Sequence, residues 1–255
     1  MLELDAFDAR TRQLVGEAGI AALARSHILV VGLGGVGSFA AESLARAGIG
    51  RLTLLDHDRV APSNLNRQLL ALHSTLGKPK VTAMAARVAD INPHCQLDLM
   101  DTFLRPDEVP ALLTATKPSL VLDCIDTIVS KAALVHSCQQ LSMPIASSMG
   151  AGGRLDATRV AVSTLAKTQM CPLARALRKR LRLIGASAKY PVVYSDEPPI
   201  KGTSHHPPDP DGVAQPRSTN GSIAYLPGMM GLMLAGLATQ HCLTQGETPA
   251  YSPLR

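Results

Sequence analysis

Asp56 stands about 20 residues beyond the glycines of Gly32-Leu33-Gly34-Gly35-Val36-Gly37, the spacing at which a carboxylate meets a ribose hydroxyl. The glycines follow the β-branched run His27-Ile28-Leu29-Val30-Val31 and precede a helical stretch, Ser38 to Ala47. In that setting Gly32 allows a tight turn, Gly34 lets the backbone approach a phosphate, and Gly37 lets helix pack on strand. The helix N-terminus behind them offers unpaired N–H groups to an anion. Gly35 completes the loop. These residues together predict an adenine-nucleotide site.

A plain dinucleotide fingerprint would stop at Asp56, so the residues beyond it decide the chemistry. Asp58 follows two positions later, and its carboxylate suits a metal-bound phosphate as well as an ordinary loop cap. Asn64-Leu65-Asn66-Arg67-Gln68 puts an arginine fit for polyphosphate in what is otherwise a plain polar loop. Gly77-Lys78-Pro79-Lys80 puts Lys80 at a helix start, where a lysine is ordinarily a solvated charge. Asp123-Cys124-Ile125-Asp126 closes a buried apolar strand. Each feature alone has a bland reading, and their order along the chain is what gives them meaning.

The elements that must carry these residues alternate. Arg51 to Leu55, Gln96 to Met100, Leu120 to Cys124 and Pro144 to Ser147 read as strands. Gly77 to Ile91, with Val81, Met84, Ala85 and Val88 on one face, reads as a helix, as do Pro106 to Thr116 and Lys131 to Leu141. This predicts an α/β fold, a doubly wound, mainly parallel Rossmann-like sheet, with ligands at the carboxyl ends of its strands. Asp126 then falls in the binding crevice. Leu2 to Leu23 reads as helical material ahead of the first strand.

Beyond Gly150-Ala151-Gly152-Gly153 the pattern changes to a strand at Val160 to Leu165, a basic helix at Pro172 to Arg182, and a strand at Val192 to Ser195. Glu197 to Pro216 reads as a flexible loop. The whole chain, residues 1–255, is expected to form one domain, with 1–153 binding nucleotide and 154–255 carrying substrate and dimer contacts. Ile223 to Ala238 is apolar and nearly uncharged, but Pro227 interrupts it and the remainder falls short of the ~20 residues a bilayer span needs. A core or subunit-interface helix is expected there, with Gly228, Gly231 and Gly236 allowing close approach, and no membrane insertion. The five cysteines form no C-x-x-C pair, which argues against a structural zinc site and a disulfide framework. The N-terminus does not read as a signal peptide, and a cytoplasmic location is expected. The net charge of +5 permits an anionic partner without requiring one.

Taken in order, T-R-Q-L with Arg12, G-L-G-G-V-G, D-H-D, N-L-N-R-Q, G-K-P-K and D-C-I-D resemble the adenylating superfamily. That superfamily includes ubiquitin-activating enzymes and the molybdopterin and thiamine sulfur-carrier activators. The resemblance implies transfer of AMP from ATP to a carboxylate. It implies that Gly32, Gly34, Gly35, Gly37, Asp56, Asp58, Asn64, Arg67, Gln68, Lys80 and Asp126 bind nucleotide, and that Asp126 holds Mg²⁺. Arg67, Lys80 and Asp126 would be catalytic, and Arg12 would reach the triphosphate of the neighbouring subunit in a homodimer.

The carboxyl-terminal pieces resemble the bacterial tRNA threonylcarbamoyladenosine dehydratases within that superfamily. They are Ser148 to Gly153, Ala166-Lys167-Thr168, Pro172 to Arg182, Val193-Tyr194-Ser195 and Asn220 to Ile223. That implies activation of a threonyl carboxylate on tRNA and intramolecular ring closure with loss of water. It leaves room for a sulfur-transfer protein partner. No cysteine lies in the Pro-rich loop, as thioester chemistry would demand, and cyclisation supplies its own nucleophile. Arg175, Arg178, Lys179 and Arg182 share a helical face, ordinarily a solvated one, which here is expected to contact tRNA phosphates, with Leu173, Leu177 and Leu181 inward. Tyr190, Tyr194 and Tyr225 are candidates for base stacking. Cys171 replaces an acid usual in the resembling sequences, and reads either as a helix-terminal thiol or as a simple substitution. The alternative function is activation of a sulfur-carrier or ubiquitin-like protein's C-terminus.

Overall fold

A computed structural model describes residues 7–200 and 221–244 of the chain. Their order is α1 (Ala9–Arg25), β1 (His27–Val31), α2 (Gly37–Arg46), β2 (Arg51–Leu55), α3 (Lys80–Ile91), β3 (Gln96–Met100) and α4 (Val109–Thr116). There follow β4 (Leu120–Asp123), α5 (Ile128–Gln140), β5 (Ile145–Ser148), β6 (Val160–Thr164), α6 (Pro172–Leu183), β7 (Pro191–Ser195) and α7 (Tyr225–Thr244). The expected α/β doubly wound sheet is present, with seven strands in the order β3-β2-β1-β4-β5-β7-β6. All neighbours run parallel except β6, which lies antiparallel on β7 at the edge.

Strand alternation sorts the core into two layers. Ile28 and Val30 of β1 face one side, packing with Ala40, Leu44, Met84, Met230 and Leu234. Leu29 and Val31 face the other, with Leu113, Val121, Leu134, Leu177 and Val192. Helices α1, α2, α3 and α7 therefore cover one face, and α4, α5 and α6 the other. Burial on both faces explains why the central strands read as unbroken apolar runs.

The strand order reverses between β2 and β4, both paired to β1. That switch point opens a crevice at the carboxyl ends of the strands. Because β7 pairs with β5, the second half of the chain extends the sheet begun by the first.

Two details differ from expectation. Helix α1 is kinked at Gly16, whose φ of 69° is left-handed. Pro227 does not interrupt the last helix. It sits in the first turn of α7, where its missing N–H has no intrahelical partner to lose. Residues 2–6 of the expected first helix, residues 201–216 of the Pro-rich loop, and Asn220 lie outside the described residues. Among the described residues, no helix is long and apolar enough to cross a membrane.

Candidate nucleotide site

The glycine turn is built by close approach. Gly32 has φ of 90°, and a Cβ there would stand 2.9 Å from Ile125 Cγ2. A Cβ on Gly37 would lie 1.7 Å from the Gly32 carbonyl oxygen. Gly34 differs, because a Cβ there would meet only Gln68 Nε2 at 3.8 Å. No packing among the described residues demands glycine at that position, and its open side leaves the backbone accessible. Ser38, fully buried, donates from Oγ to the Gly34 carbonyl (2.7 Å) and accepts from the Leu69 N–H (3.2 Å). One hydroxyl thus ties the glycine turn to the loop carrying Arg67 and Gln68.

Asp56, at the end of β2, accepts the Leu33 N–H (2.6 Å) on one oxygen and the Asp58 N–H (2.8 Å) on the other. The carboxylate is fixed against the glycine turn, and lone pairs remain on both oxygens. Lys80, nearly buried, donates from Nζ to Asp58 Oδ2 at 2.7 Å. Burial pushes the Asp58 carboxyl up, but the Lys80 hydrogen bond and charge, with a weaker pull from His57, hold it below its ordinary value. His57 stands edge-on to the Phe103 ring. Asp56, His57 and Asp58 present ligand atoms within 4.8 Å of one another.

The polar loop divides its labour. Asn64 accepts the Ala61 N–H (3.0 Å) and so shapes the loop with its amide oxygen. Arg67 donates to the Ser63 carbonyl (2.8 Å) and Asn66 Oδ1 (3.0 Å), and it has no carboxylate partner among the described residues. Gln68 is buried, and its Oε1 has no partner among the described residues. These two are an unneutralised cation and an unsatisfied acceptor beside the glycine turn.

Across the switch point, β4 ends at Asp123, and Asp126 stands exposed in the turn before α5. Asp123 is fully buried. Its carboxylate meets Lys131 Nζ at 2.9 Å and accepts from Ser147 Oγ at 2.6 Å. Burial drives the Asp123 carboxyl upward against the opposing charge of Lys131 and the hydroxyl of Ser147. Burial likewise pushes the neighbouring Cys124 thiol up to about 12, so it stays protonated and inert.

The structure thus gathers the glycine turn, Asp56, Asp58, Asn64, Arg67, Gln68, Lys80 and the turn with Asp126. It does not add Arg12, which pairs with Asp8 at 2.6 Å and with Glu17 of its own chain. On α6, Arg175, Lys179 and Arg182 are exposed. Arg178 departs from that face. It is half-buried, and Nη1 donates to the Leu165 carbonyl (3.1 Å), the Thr168 carbonyl (3.0 Å) and the Thr168 hydroxyl. Ala174, Leu177 and Leu181 are the buried positions, with Leu173 only half-buried. Of the tyrosines, Tyr190 is packed in the core and unavailable for stacking, whereas Tyr225 is exposed and donates its hydroxyl to the Leu155 carbonyl (2.7 Å). Cys171 is buried, which argues against a solvent-reactive thiol.

Two residues were not singled out from the sequence. Lys131 is completely buried beneath the crevice. Arg154, also buried, donates from Nη1 to the Gly150 (2.6 Å) and Gly152 (3.1 Å) carbonyls and from Nε to the Glu197 carbonyl (3.0 Å). It clasps the loop after β5 to the segment after β7, which is how Glu197 at the start of the expected flexible loop comes to be tied down.

Residues 8–254 match the ThiF family. The chain is similar to the tRNA threonylcarbamoyladenosine dehydratase of Bacillus subtilis, 38% identical over 235 residues, spanning 89% of this chain and 91% of that protein. Among solved structures it is similar to the E. coli tRNA N6-threonylcarbamoyladenosine dehydratase in complex with AMP. The TM-score is 0.83 at 35% identity, covering 96% of this chain and 98% of that one. For the same E. coli protein in complex with ATP the TM-score is 0.78 at 36% identity, covering 96% of each chain.

Proposed function

The chain belongs to the ThiF family, and on that premise we propose that it is an ATP-dependent dehydratase acting on threonylcarbamoyladenosine in tRNA. The observation that carries this reading is the convergence of the glycine turn, Asp56, Arg67, Lys80 and Asp126 on the switch-point crevice, in a fold similar to a dehydratase in complex with ATP.

The threonyl carboxylate attacks the α-phosphorus of ATP, an acyl-adenylate forms, and pyrophosphate leaves. The carbamoyl side of the same nucleoside then attacks the activated carbonyl, the ring closes, and AMP departs with the lost oxygen. Asp56 holds the ribose with the lone pairs its backbone donors leave free. The N–H groups of the glycine turn cradle phosphate. Arg67 and Lys80 neutralise the charge that builds on the bridging oxygens, Lys80 exchanging Asp58 for phosphate. Asn64 shapes the loop, and Gln68 offers its unsatisfied carbonyl to the nucleotide. Mg²⁺ suits the donor set, since hard cations take oxygen ligands from one or two carboxylates plus phosphate. Asp126 would hold it, and the ion would stabilise phosphate charge.

One domain over residues 1–255 joins a nucleotide-binding part (1–153) to a substrate part (154–255), an arrangement supported by the shared sheet. Arg175, Lys179 and Arg182 contact tRNA phosphate, while Arg178 props the turn beneath them. The chain works as a homodimer, in which Arg12 exchanges its local acids for the partner's triphosphate. The exposed stripe of Tyr225, Leu232 and Gly236 on α7 supports that association. Five free thiols suit the cytoplasm.

The test is ATP turnover by purified protein with tRNA bearing threonylcarbamoyladenosine, followed by mass analysis of the nucleoside. AMP and pyrophosphate release that depends on the modified tRNA, with a nucleoside lighter by one water, is the expected result. Turnover that ignores this tRNA sinks the reading.

A further inference from the structure

Among the described residues, Lys131 is the largest side chain with no exposure at all, and it is charged. A buried ion pair is poor evidence for stability, because apolar side chains of the same volume fill such a place at least as well. An apolar side chain could not do what Lys131 does beyond pairing with Asp123. Its Nζ also donates to the carbonyl of Ile125 at 2.8 Å. From the other side, the Ile125 N–H donates to Asp123 Oδ1 at 3.4 Å. The turn between β4 and α5 is therefore gripped at both polar atoms of one residue.

That residue sits at a junction. The preceding Cys124 N–H is held by the Val31 carbonyl (2.8 Å), and the Ile125 side chain presses on Gly32 of the phosphate turn. Asp126 follows, exposed, and its carboxylate makes no hydrogen bond or ion pair among the described residues. Only the backbone of the turn places it. In a trans peptide the C=O and N–H point in opposite directions. Anchoring the Ile125 carbonyl to a buried ammonium therefore turns the Asp126 N–H away from the core. Ser147 Oγ, reaching from β5 to Asp123 at 2.6 Å, braces the whole arrangement from the next strand.

We infer that Lys131, with Asp123 and Ser147, is a positioning residue that sets the Ile125–Asp126 peptide and so presents Asp126 to the metal-bound triphosphate. The inference rests on the role given to Asp126 above. It makes the ion pair an outer support of a metal ligand, a kind of interaction whose removal weakens metal binding although it never touches the ion.

The readout is the ratio of ATP dissociation constants without and with Mg²⁺, from titration calorimetry on the full chain in EDTA or MgCl₂. Asp123→Asn/Lys131→Met removes both charges together, so no buried charge is left unpaired. It is expected to lower that ratio about tenfold while ATP binding in EDTA persists. In an Asp126→Asn background the same pair should lower it no further. A wild-type ratio in the folded variant, or an equal loss with and without Asp126, overturns the inference alone. Asp126→Asn by itself keeping the wild-type ratio overturns the reading of Asp126, and the inference with it. Should the double variant not fold, Ser147→Ala leaves the ion pair in place and must shift the ratio in the same direction. An unchanged ratio there overturns the inference too.

Discussion

A methyl group on Gly37 would stand 1.7 Å from the Gly32 carbonyl oxygen, and backbone cannot yield that much without moving the phosphate turn. Gly37→Ala is therefore expected to cost roughly 1–3 kcal/mol of stability and to weaken ATP binding together. Gly34→Ala meets only the end of a glutamine side chain, so it should leave the melting temperature alone and still weaken ATP binding. Thermal denaturation beside an ATP titration separates the two, and equal loss of stability in both variants would refute the distinction. At this scale the glycine turn and the place of Asp56 at a strand end were legible because the strand–turn–helix–strand unit fixes their spacing along the chain. Lys131 was not. Helix α5 buries residues around most of its girth, including Ser130, Lys131, Ala132, Leu134 and Val135, so no apolar stripe marks which position lies innermost. Arg154 was hidden for a related reason. Its three acceptors are backbone carbonyls, which every residue type possesses.

At the scale of elements, α6 separates two uses of arginine. Arg175, Lys179 and Arg182 are exposed, whereas Arg178 holds the turn at Leu165 and Thr168. Replacing Arg175, Lys179 or Arg182 by Ala should weaken tRNA binding and flatten its log–log salt dependence by about 0.7–0.9 for each phosphate no longer neutralised. Arg178→Ala should instead lower the melting temperature, with little change in that slope. A filter-binding series across salt concentrations, beside thermal denaturation, reads both, and a full slope change in Arg178→Ala would reverse the assignment. The helical period correctly put Leu177 and Leu181 inward, but it could not foresee that a neighbouring turn would recruit Arg178. Strand order was beyond sequence pattern in the same way. The apolar runs mark strands, yet β6 reaches its place by pairing antiparallel with a strand that comes some 30 residues later, about the length of a helical crossover unit.

For the molecule as a whole, two histidines contribute to how stability responds to mild acid. His27 is held below its ordinary value by burial, with Arg51 adding to the effect. Burial does the same to His241. Because these groups bind protons more readily when unfolded, stability rises with pH wherever the unfolded chain carries more protons. The contribution is complete above the unfolded histidine value of about 6.5 and is lost as pH falls toward the depressed folded value. Melting temperatures measured from about pH 7.5 down to about pH 5 should decline, and His27→Gln should remove part of that slope. A flat profile would contradict it.

The last described helix returns to the first part of the sheet. Met230, Leu234, Ala235 and Ala238 of α7 share a core with Ala40, Ala41 and Leu44 of α2. A Cβ on Gly231 would lie 2.3 Å from the Val36 carbonyl, and one on Gly35 3.1 Å from Pro227. The nucleotide loop is thus walled by a segment made nearly 200 residues after it. On the ribosome, at about 5–20 residues per second, the phosphate turn must wait roughly ten seconds or more for that wall, with the apolar flank of α2 bare throughout. Synthesis of this protein is consequently a race between its own C-terminus and any chaperone or neighbouring nascent chain that finds α2 first.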